Sequence, residues 1–347
     1  MAEIDLAAAR VLCAGLLEAA GMPADTAGQT AVALSVAEAW GRSSHGLLRL
    51  PYYLERFAAG GCDPVAELRP VRAKGPTAVF DGGNGLGHWQ LARAAEHAAT
   101  LGAEHGIAAV AVANSGHAGV LGLGVVPMVE AGLVGLAFST GPAAMPAVGG
   151  HRAVLSTSPI AAGVPLSPRP AIVDLATTAV ARGKIAAVAA AGGVLEPGWA
   201  FDAQGAPTTD PAAALSGMLA PLGGAKGFAL AFLVEALTGG LVGPHGATEI
   251  ADPLSSSAAG SPQGIAHLVL ALDPACLDGD GHAPERLAAL AEAITSSGGR
   301  VPGTTHLLPR EIPDDTPVVL ADPLASRLAD LARARGIPVP AGLAAAP

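Results

Sequence analysis

Helix signatures stand at both ends of this chain, and short apolar runs of strand character occupy its middle. That order restricts the fold to an α/β body flanked by helices. Leu6, Val11, Leu12, Leu16 and Leu17 recur at helical spacing after Asp5, which is placed to cap, and Gly21 ends the run. A second helix is expected from about Asp25 to Trp40; a third opens with Pro51 in its first turn and stops at Gly60-Gly61. Thr77–Asp81 then reads as a strand turning through Gly82-Gly83-Asn84-Gly85. Trp89–His105 reads as a helix ended by Gly106, and Ile107–Ala113 as a buried strand. Further strands are expected at Leu133–Ser139, Ala171–Asp174 and Ile265–Leu272, and helices at Gly227–Leu237 and Pro284–Thr295. The last helix has Asp322 as N-cap, Pro323 at N1, Arg335 in its last turn and Gly336 just beyond. Two helical chain ends are expected to pack together.

Composition narrows the class. A chain of 347 residues implies two domains, or one large α/β unit with an appendage. Hydrophobic residues make up 51%, yet only 3% are aromatic, so Leu, Val, Ile and small side chains must form the core. The positive mean hydropathy raises the question of a membrane protein. The longest apolar runs, Ala118–Val129 and Ile185–Leu195, are about a dozen residues, short of the ~20 needed to span. The formal charge of −10, with no clustering of Lys and Arg among aromatics, argues against nucleic acid and against an anionic membrane surface. Cys13, Cys62 and Cys276 lack metal-ligand spacing, so no metal site is expected. With acidic Glu3 and Asp5 near the start and no basic leader, a reduced cytoplasmic protein is the expectation.

Polar chemistry is scarce in a chain that is only 14% charged, which makes its concentrations informative. The run Ser44-His45-Gly46-Leu47-Leu48-Arg49-Leu50-Pro51-Tyr52-Tyr53 brings together a hydroxyl, an imidazole, a guanidinium and a phenol. Arg49 is a fixed cation whose fork suits a carboxylate, and His45 can donate or accept near neutral pH. The set points to a small carboxylic acid; the alternative is a loop with Arg49 paired to Glu55 and His45 merely capping. Asn114-Ser115-Gly116-His117-Ala118-Gly119 places a histidine between a strand end and a helix start, among neighbours small enough for a ligand to approach the ring. That suits a proton donor, against the alternative of a histidine that only bonds the turn. Gly223-Gly224-Ala225-Lys226-Gly227 before an apolar helix suits an anion or an exposed connector equally. Asp174-Leu175-Ala176-Thr177-Thr178 at a strand end suits a ribose or a simple cap. No GxGxxG follows a strand, and GxSxG, HExxH and CxxC are absent.

Taken in series, these stretches resemble the type 2 malate/L-lactate dehydrogenases. The matching pieces are Ser44-His45-Gly46 with Arg49, Pro51 and Tyr53; Asp81-Gly82 with Gly85-Leu86-Gly87; Asn114-Ser115-Gly116-His117; Asp174-Leu175-Ala176-Thr177; Gly183-Lys184; Pro197-Gly198-Trp199 with Asp202 and Gly205; and Lys226-Gly227-Phe228-Ala229-Leu230. The resemblance implies an NAD(P)-binding α/β fold outside the Rossmann class, with a helical domain at residues 1–73 completed by 305–347, and a cofactor-binding α/β domain at 74–304. It implies NAD(P)H as cofactor, NADH and NADPH both open, and a homodimer. By matching positions, His117 is the general acid/base with His45 beside it, Arg49 holds the substrate carboxylate, and Ser44 and Tyr53 complete the substrate shell. Ser139, Thr140, Thr157, Asp174, Leu175, Ala176, Lys226, Pro302 and Gly303 are the implied cofactor contacts. The implied reaction is hydride transfer to C2 of a 2-oxo acid, reversibly. The alternatives are reduction of a cyclic 2-imino acid and, in another class, ligand binding without catalysis. The chain departs from the family pattern at Ser139-Thr140-Gly141-Pro142 and Ser156-Thr157-Ser158-Pro159, where hydroxyls replace two amides. A hydroxyl keeps one hydrogen bond but not an amide's simultaneous donor and acceptor.

Overall fold

Asp5 caps the first helix as its position implies: its carboxylate accepts from the amide of Ala8 at 2.6 Å. The computed structural model describes residues 1–251 and 258–344. The chain opens with β1 (Ala2–Asp5), α1 (Leu6–Ala19), α2 (Ala24–Ala39), α3 (Leu50–Ala59), β2 (Arg69–Lys74), β3 (Thr77–Asp81) and α4 (Gly87–His105). It continues through β4 (Ile107–Ser115), α5 (Val126–Glu130), β5 (Val134–Ser139), β6 (Met145–Pro146), β7 (Ala153–Leu155), β8 (Ile160–Val164), β9 (Ala171–Leu175) and α6 (Arg182–Ala190). Next come β10 (Ala200–Phe201), β11 (Pro207–Thr208), α7 (Pro211–Leu215), β12 (Met218–Leu219), α8 (Ala225–Glu235), β13 (Ile265–Leu272) and α9 (Pro274–Leu277). Last are α10 (Ala283–Ser296), β14 (Pro317–Leu320), α11 (Asp322–Arg333) and α12 (Ala341–Ala344).

The central sheet has seven strands in the order β2-β3-β4-β13-β5-β8-β9. Only β3 and β4 run parallel, and α4 makes the crossover between them. That helix lies close on the sheet because it presents Ala94, Ala95, Ala98 and Gly102, and a Cβ at Gly102 would meet Ala271 of β13 at 2.9 Å. β13 inserts antiparallel between β4 and β5, bringing residues near 265 beside Ser115 and Ser139. At that one edge of the sheet the C-terminal ends of β4, β5 and β9 meet the N-terminal ends of β13 and β8. A row of strand ends is where open α/β sheets present loops to a ligand.

The chain ends meet. β1 pairs antiparallel with β14, and Leu6, Leu12, Leu16, Leu17, Leu34, Ala325 and Leu328 belong to one buried cluster that continues under the sheet. Trp40 at the end of α2 donates its indole N–H to the carbonyl of Leu307 at 2.9 Å and stacks on His306. A second, smaller core of Val180, Ile185, Leu195, Ala200, Ala214 and Leu219 supports the segment around α6 and the β10–β12 sheet.

Three expectations change. Ala321, not Asp322, holds the N-cap position of α11; Asp322 is already helical, and its carboxylate pairs with the chain's terminal ammonium at 2.5 Å. Val11 points out of α1 and is 70% exposed, so it is not part of the buried stripe. Residues 69–73, expected with the helical part, form most of β2, which pairs with β3 as the exposed edge of the sheet. β2 escapes a pattern search because an edge strand exposed on both faces carries charges instead of alternation. β8 escapes it because Ala161, Ala162 and Gly163 leave nothing to alternate. Among the described residues, no helix is long and apolar enough to cross a membrane.

Candidate active site

The segment between α2 and α3 folds into two short 3₁₀ turns, Ser43–His45 and Leu47–Arg49. Glu38 of α2 anchors it by accepting from the amide of Leu47 at 2.7 Å. Only glycine fits at 46, because a Cβ there would collide with that carboxylate. The turns bring Ser44, His45 and Arg49 to one face. The Ser44 hydroxyl lies 2.9 Å from His45 Nδ1, and Arg49 Nε donates to the Ser44 carbonyl at 2.8 Å. That bond uses Nε, and the terminal nitrogens of Arg49 have no hydrogen-bond partner among the described residues. Glu55 pairs with Arg327 instead, which removes the alternative of an Arg49–Glu55 pair.

His117 comes from the other side. Near the end of β4, Asn114 sits at φ +51°, a left-handed position that asparagine tolerates, and the chain turns back after Ser115. The Ser115 hydroxyl donates to Gln90 at 2.6 Å, and His267 Nε2 lies 3.0 Å from the same hydroxyl. Gln263 accepts from the backbone N–H of His117 at 3.2 Å. Above this platform the Tyr53 hydroxyl sits 2.7 Å from His117 Nδ1, and His45 stacks at a centroid distance of 5.7 Å. With Nδ1 engaged, Nε2 is the ring nitrogen left for a ligand.

Ser44, His45, Arg49 and His117 line a cleft of about 510 Å³, together with Ser139, Thr140, Thr157, Asp174, Leu175 and Ala176. A concavity of that size is typical of a small-molecule site. Asp174 Oδ2 accepts from the backbone N–H of Gly122 at 3.1 Å. Burial raises its carboxyl above the usual range, opposed by that hydrogen bond and by Arg42. Burial also lowers His117 well below 6.5, with the positive forms of His45, His88 and Arg49 acting in the same sense. His45 is pushed to about 4, by burial first and then by Arg49 and Arg42. The histidines of this site are therefore neutral at neutral pH before a ligand enters.

The structure gathers most of the expected residues but not all. Tyr53 is buried behind His117 and reaches the cleft only through it. Lys226 is exposed at the start of α8 and does not line the cleft. Pro302 and Gly303 also stand off its wall: the Pro302 carbonyl accepts from Ile172 of β9, and the loop packs on that strand. Four residues here were not expected from the sequence: Arg42, Gln263, His88 and Glu235. Arg42 and Gln263 line the cleft. His88, directly after the Gly85-Leu86-Gly87 motif, packs edge-on against Tyr53 and His117. Glu235 carried a signal that was available: a lone acid in the apolar helix Ala225–Glu235 must be either partnered or exposed.

The wall beyond Arg49 has the donors a dinucleotide needs. Ala181, Arg182 and Gly183 line it, so the N-terminus of the nine-residue α6 opens into the cleft with the N–H groups of Arg182 and Gly183, which have no partner among the described residues, a favourable setting for phosphates. Arg42 and Arg182 add cations, while Thr157 presents a hydroxyl with no side-chain partner among the described residues. These donors fit NAD(P)H. Lys184 is turned away, with its Nζ 4.5 Å from the centre of the Trp199 ring.

Fold and site together define a dehydrogenase, and the chain belongs to the malate/L-lactate dehydrogenase family, whose sequence pattern matches residues 4–321. Among individual proteins, it is similar to the (2R)-3-sulfolactate dehydrogenase (NADP(+)) of Chromohalobacter salexigens, with 41% identity over 89% of this chain and 92% of that one. It is 36% identical to the Delta(1)-pyrroline-2-carboxylate reductase of Ancylobacter novellus, over 89% and 91% of the two chains. The crystal structure of delta1-piperideine-2-carboxylate reductase from Pseudomonas syringae superposes with a TM-score of 0.87 at 29% identity, covering 95% of this chain and 100% of that one.

Proposed function

We propose that this chain is an NAD(P)H-dependent oxidoreductase that reduces C2 of a small 2-oxo acid and oxidises the 2-hydroxy acid in reverse. The observation that carries the reading is the Tyr53 hydroxyl 2.7 Å from His117 Nδ1, which aims the other ring nitrogen at a cleft also lined by Arg49. Arg49 receives the substrate carboxylate through its terminal nitrogens, and Ser44 and His45 border it. Holding the carboxylate there orients C2, an entropic contribution to rate. Bound nicotinamide supplies the hydride. His117 Nε2 delivers a proton to the oxygen on C2 in reduction and removes it in oxidation. Thr157, the α6 N-terminus, Arg42 and Arg182 hold the nucleotide, with Ser139, Thr140, Asp174, Leu175 and Ala176 shaping the wall.

The sheet, parallel only between β3 and β4, supports a nucleotide fold outside the Rossmann class. The pairing of β1 with β14 supports a helical domain built from both chain ends. A homodimer is supported by α8. Its Leu230, Phe232 and Leu233 are exposed although the helix is apolar on nearly every side, the composition of a helix that is covered. Lys226 belongs to this same exposed face.

A second reading, reduction of a cyclic 2-imino acid, is favoured by the neutral state of His117. An imine is protonated more readily than a ketone, so it depends less on a charged histidine. The test is consumption of NADH and NADPH against pyruvate, oxaloacetate, sulfopyruvate, piperideine-2-carboxylate and pyrroline-2-carboxylate. His117→Ala is expected to lower ketone turnover by about 10²–10⁴-fold and imine turnover by less. Wild-type protein that binds either nucleotide yet reduces nothing in the panel would favour ligand binding without catalysis.

A further inference from the structure

Among the described residues, Glu235 is the one buried acid in this region that the proposed chemistry does not use. It ends α8 with 8% of its surface exposed, and no cation pairs with it among the described residues. An isolated carboxylate at such a depth is costly unless donors surround it. Here four donors do. Oε1 accepts from the Ser156 backbone N–H at 3.1 Å, from the Ser156 hydroxyl at 2.5 Å and from the Ser158 hydroxyl at 3.2 Å; Oε2 accepts from the Thr140 hydroxyl at 2.8 Å.

These donors come from two separate cleft walls. Thr140 follows β5, while Ser156 and Ser158 flank Thr157 on the segment entering β8. Ser156 and Ser158 are fully buried and do not line the cleft, whereas Thr157 between them does. Ser158 sits at φ +42°, a conformation serine adopts only when held. It is held by its own N–H donating to the Ser156 hydroxyl at 2.8 Å, and that hydroxyl in turn donates to Glu235. The carboxylate thus terminates a chain of bonds that turns Thr157 outward. Val234, its neighbour on α8, is buried against Phe138, Ala111 and Leu268 of the sheet and fixes where the carboxylate stands.

We propose that Glu235 is a positioning residue for the nucleotide. It clamps the wall at Thr140 to the wall from Ser156 to Ser158, so that the Thr157 hydroxyl and the flanking backbone are preset for the ligand. The hydroxyls of Thr140 and Ser158 are spent on Glu235 and do not themselves contact the nucleotide. The inference rests on the functional reading above, which assigns this wall to NAD(P)H.

The test is nucleotide affinity by calorimetry on the folded wild-type protein and its variants, alongside substrate KM at saturating nucleotide. Glu235→Gln keeps an acceptor for the Ser156 N–H, and the hydroxyls can rotate to accept from its amide. It is therefore expected to stay within about 3-fold of wild type. Glu235→Ala leaves the donors without an acceptor and is expected to weaken the nucleotide by about 10-fold or more, with substrate KM nearly unchanged. Should Glu235→Ala fail to fold, Thr140→Val removes one tether and is expected to weaken the nucleotide several-fold without moving substrate KM. Unchanged affinity in a folded Glu235→Ala or in Thr140→Val overturns the inference alone, and so does an equal loss in Glu235→Gln and Glu235→Ala. If wild type binds neither nucleotide, the functional reading fails and the inference falls with it.

Discussion

Tyr53 shows how one hydroxyl sets the behaviour of another residue. Burial raises its phenol above the ordinary value, so it remains protonated. For Nε2 to exchange the proton, Nδ1 must keep its hydrogen in both charge states, and the Tyr53 oxygen accepts from it in each. The same burial, with neighbouring His45, His88 and Arg49, lowers His117 well below 6.5. The sign of the pH dependence follows. In the free enzyme the base form of His117 exists at neutral pH and disappears only as pH falls through its depressed value. For oxidation of a 2-hydroxy acid, kcat/KM is expected to be flat from neutral pH upward and to fall only well below pH 6.5. A pH–rate profile checks this; a falling limb above pH 7 would mean that His117 is not the group titrating. His117 and Arg49 were legible in the sequence because each sits in a run of chemistry-bearing residues. The Tyr53–His117 bond was not, because 64 residues separate its partners and only packing joins them.

At the scale of elements, α8 asks for a partner. Val234 is buried against the sheet, while Leu230, Phe232 and Leu233 are 43%, 61% and 49% exposed. Large apolar side chains grouped on one helix face mark an interaction surface more often than a solvated one. Phe232→Asp is expected to convert a dimer to a monomer at micromolar concentration, read by sedimentation velocity. A wild-type protein already monomeric under those conditions would sink the homodimer. Helices such as α1 and α4 were legible to within two residues, since a cap, a period and a terminal glycine act locally. β2, β8 and the two-residue strands were not. Their pairing partners, rather than their own side-chain pattern, make them strands.

Across the whole molecule, stability should depend on acid in a defined way. His88 and His267 are fully enclosed, and burial pushes them to about 3 and about 4. Each has one ring nitrogen without a hydrogen-bond partner among the described residues. An imidazole whose folded value is depressed takes up its proton on unfolding. Its contribution is complete above pH 6.5 and is lost as pH falls toward those values. These two groups contribute a slope of at most about 3 kcal/mol per pH unit below 6.5, and His117 and His45, depressed by the same burial, add to it in the same sense. Urea midpoints at pH 7 and pH 5 measure it, and His267→Gln should reduce the difference; equal midpoints would contradict the buried neutral pair. By itself the sequence determined the helical ends, the main strands and the residues able to bind a carboxylate and move a proton. Those properties follow from side-chain chemistry and short-range periodicity. The tertiary structure alone decided which of them meet. It turned Lys226 and Pro302-Gly303 away from the cleft, set Tyr53 behind His117, and gathered three hydroxyls from two loops around Glu235. Such contacts arise from sheet order and burial, which no local stretch of the chain encodes.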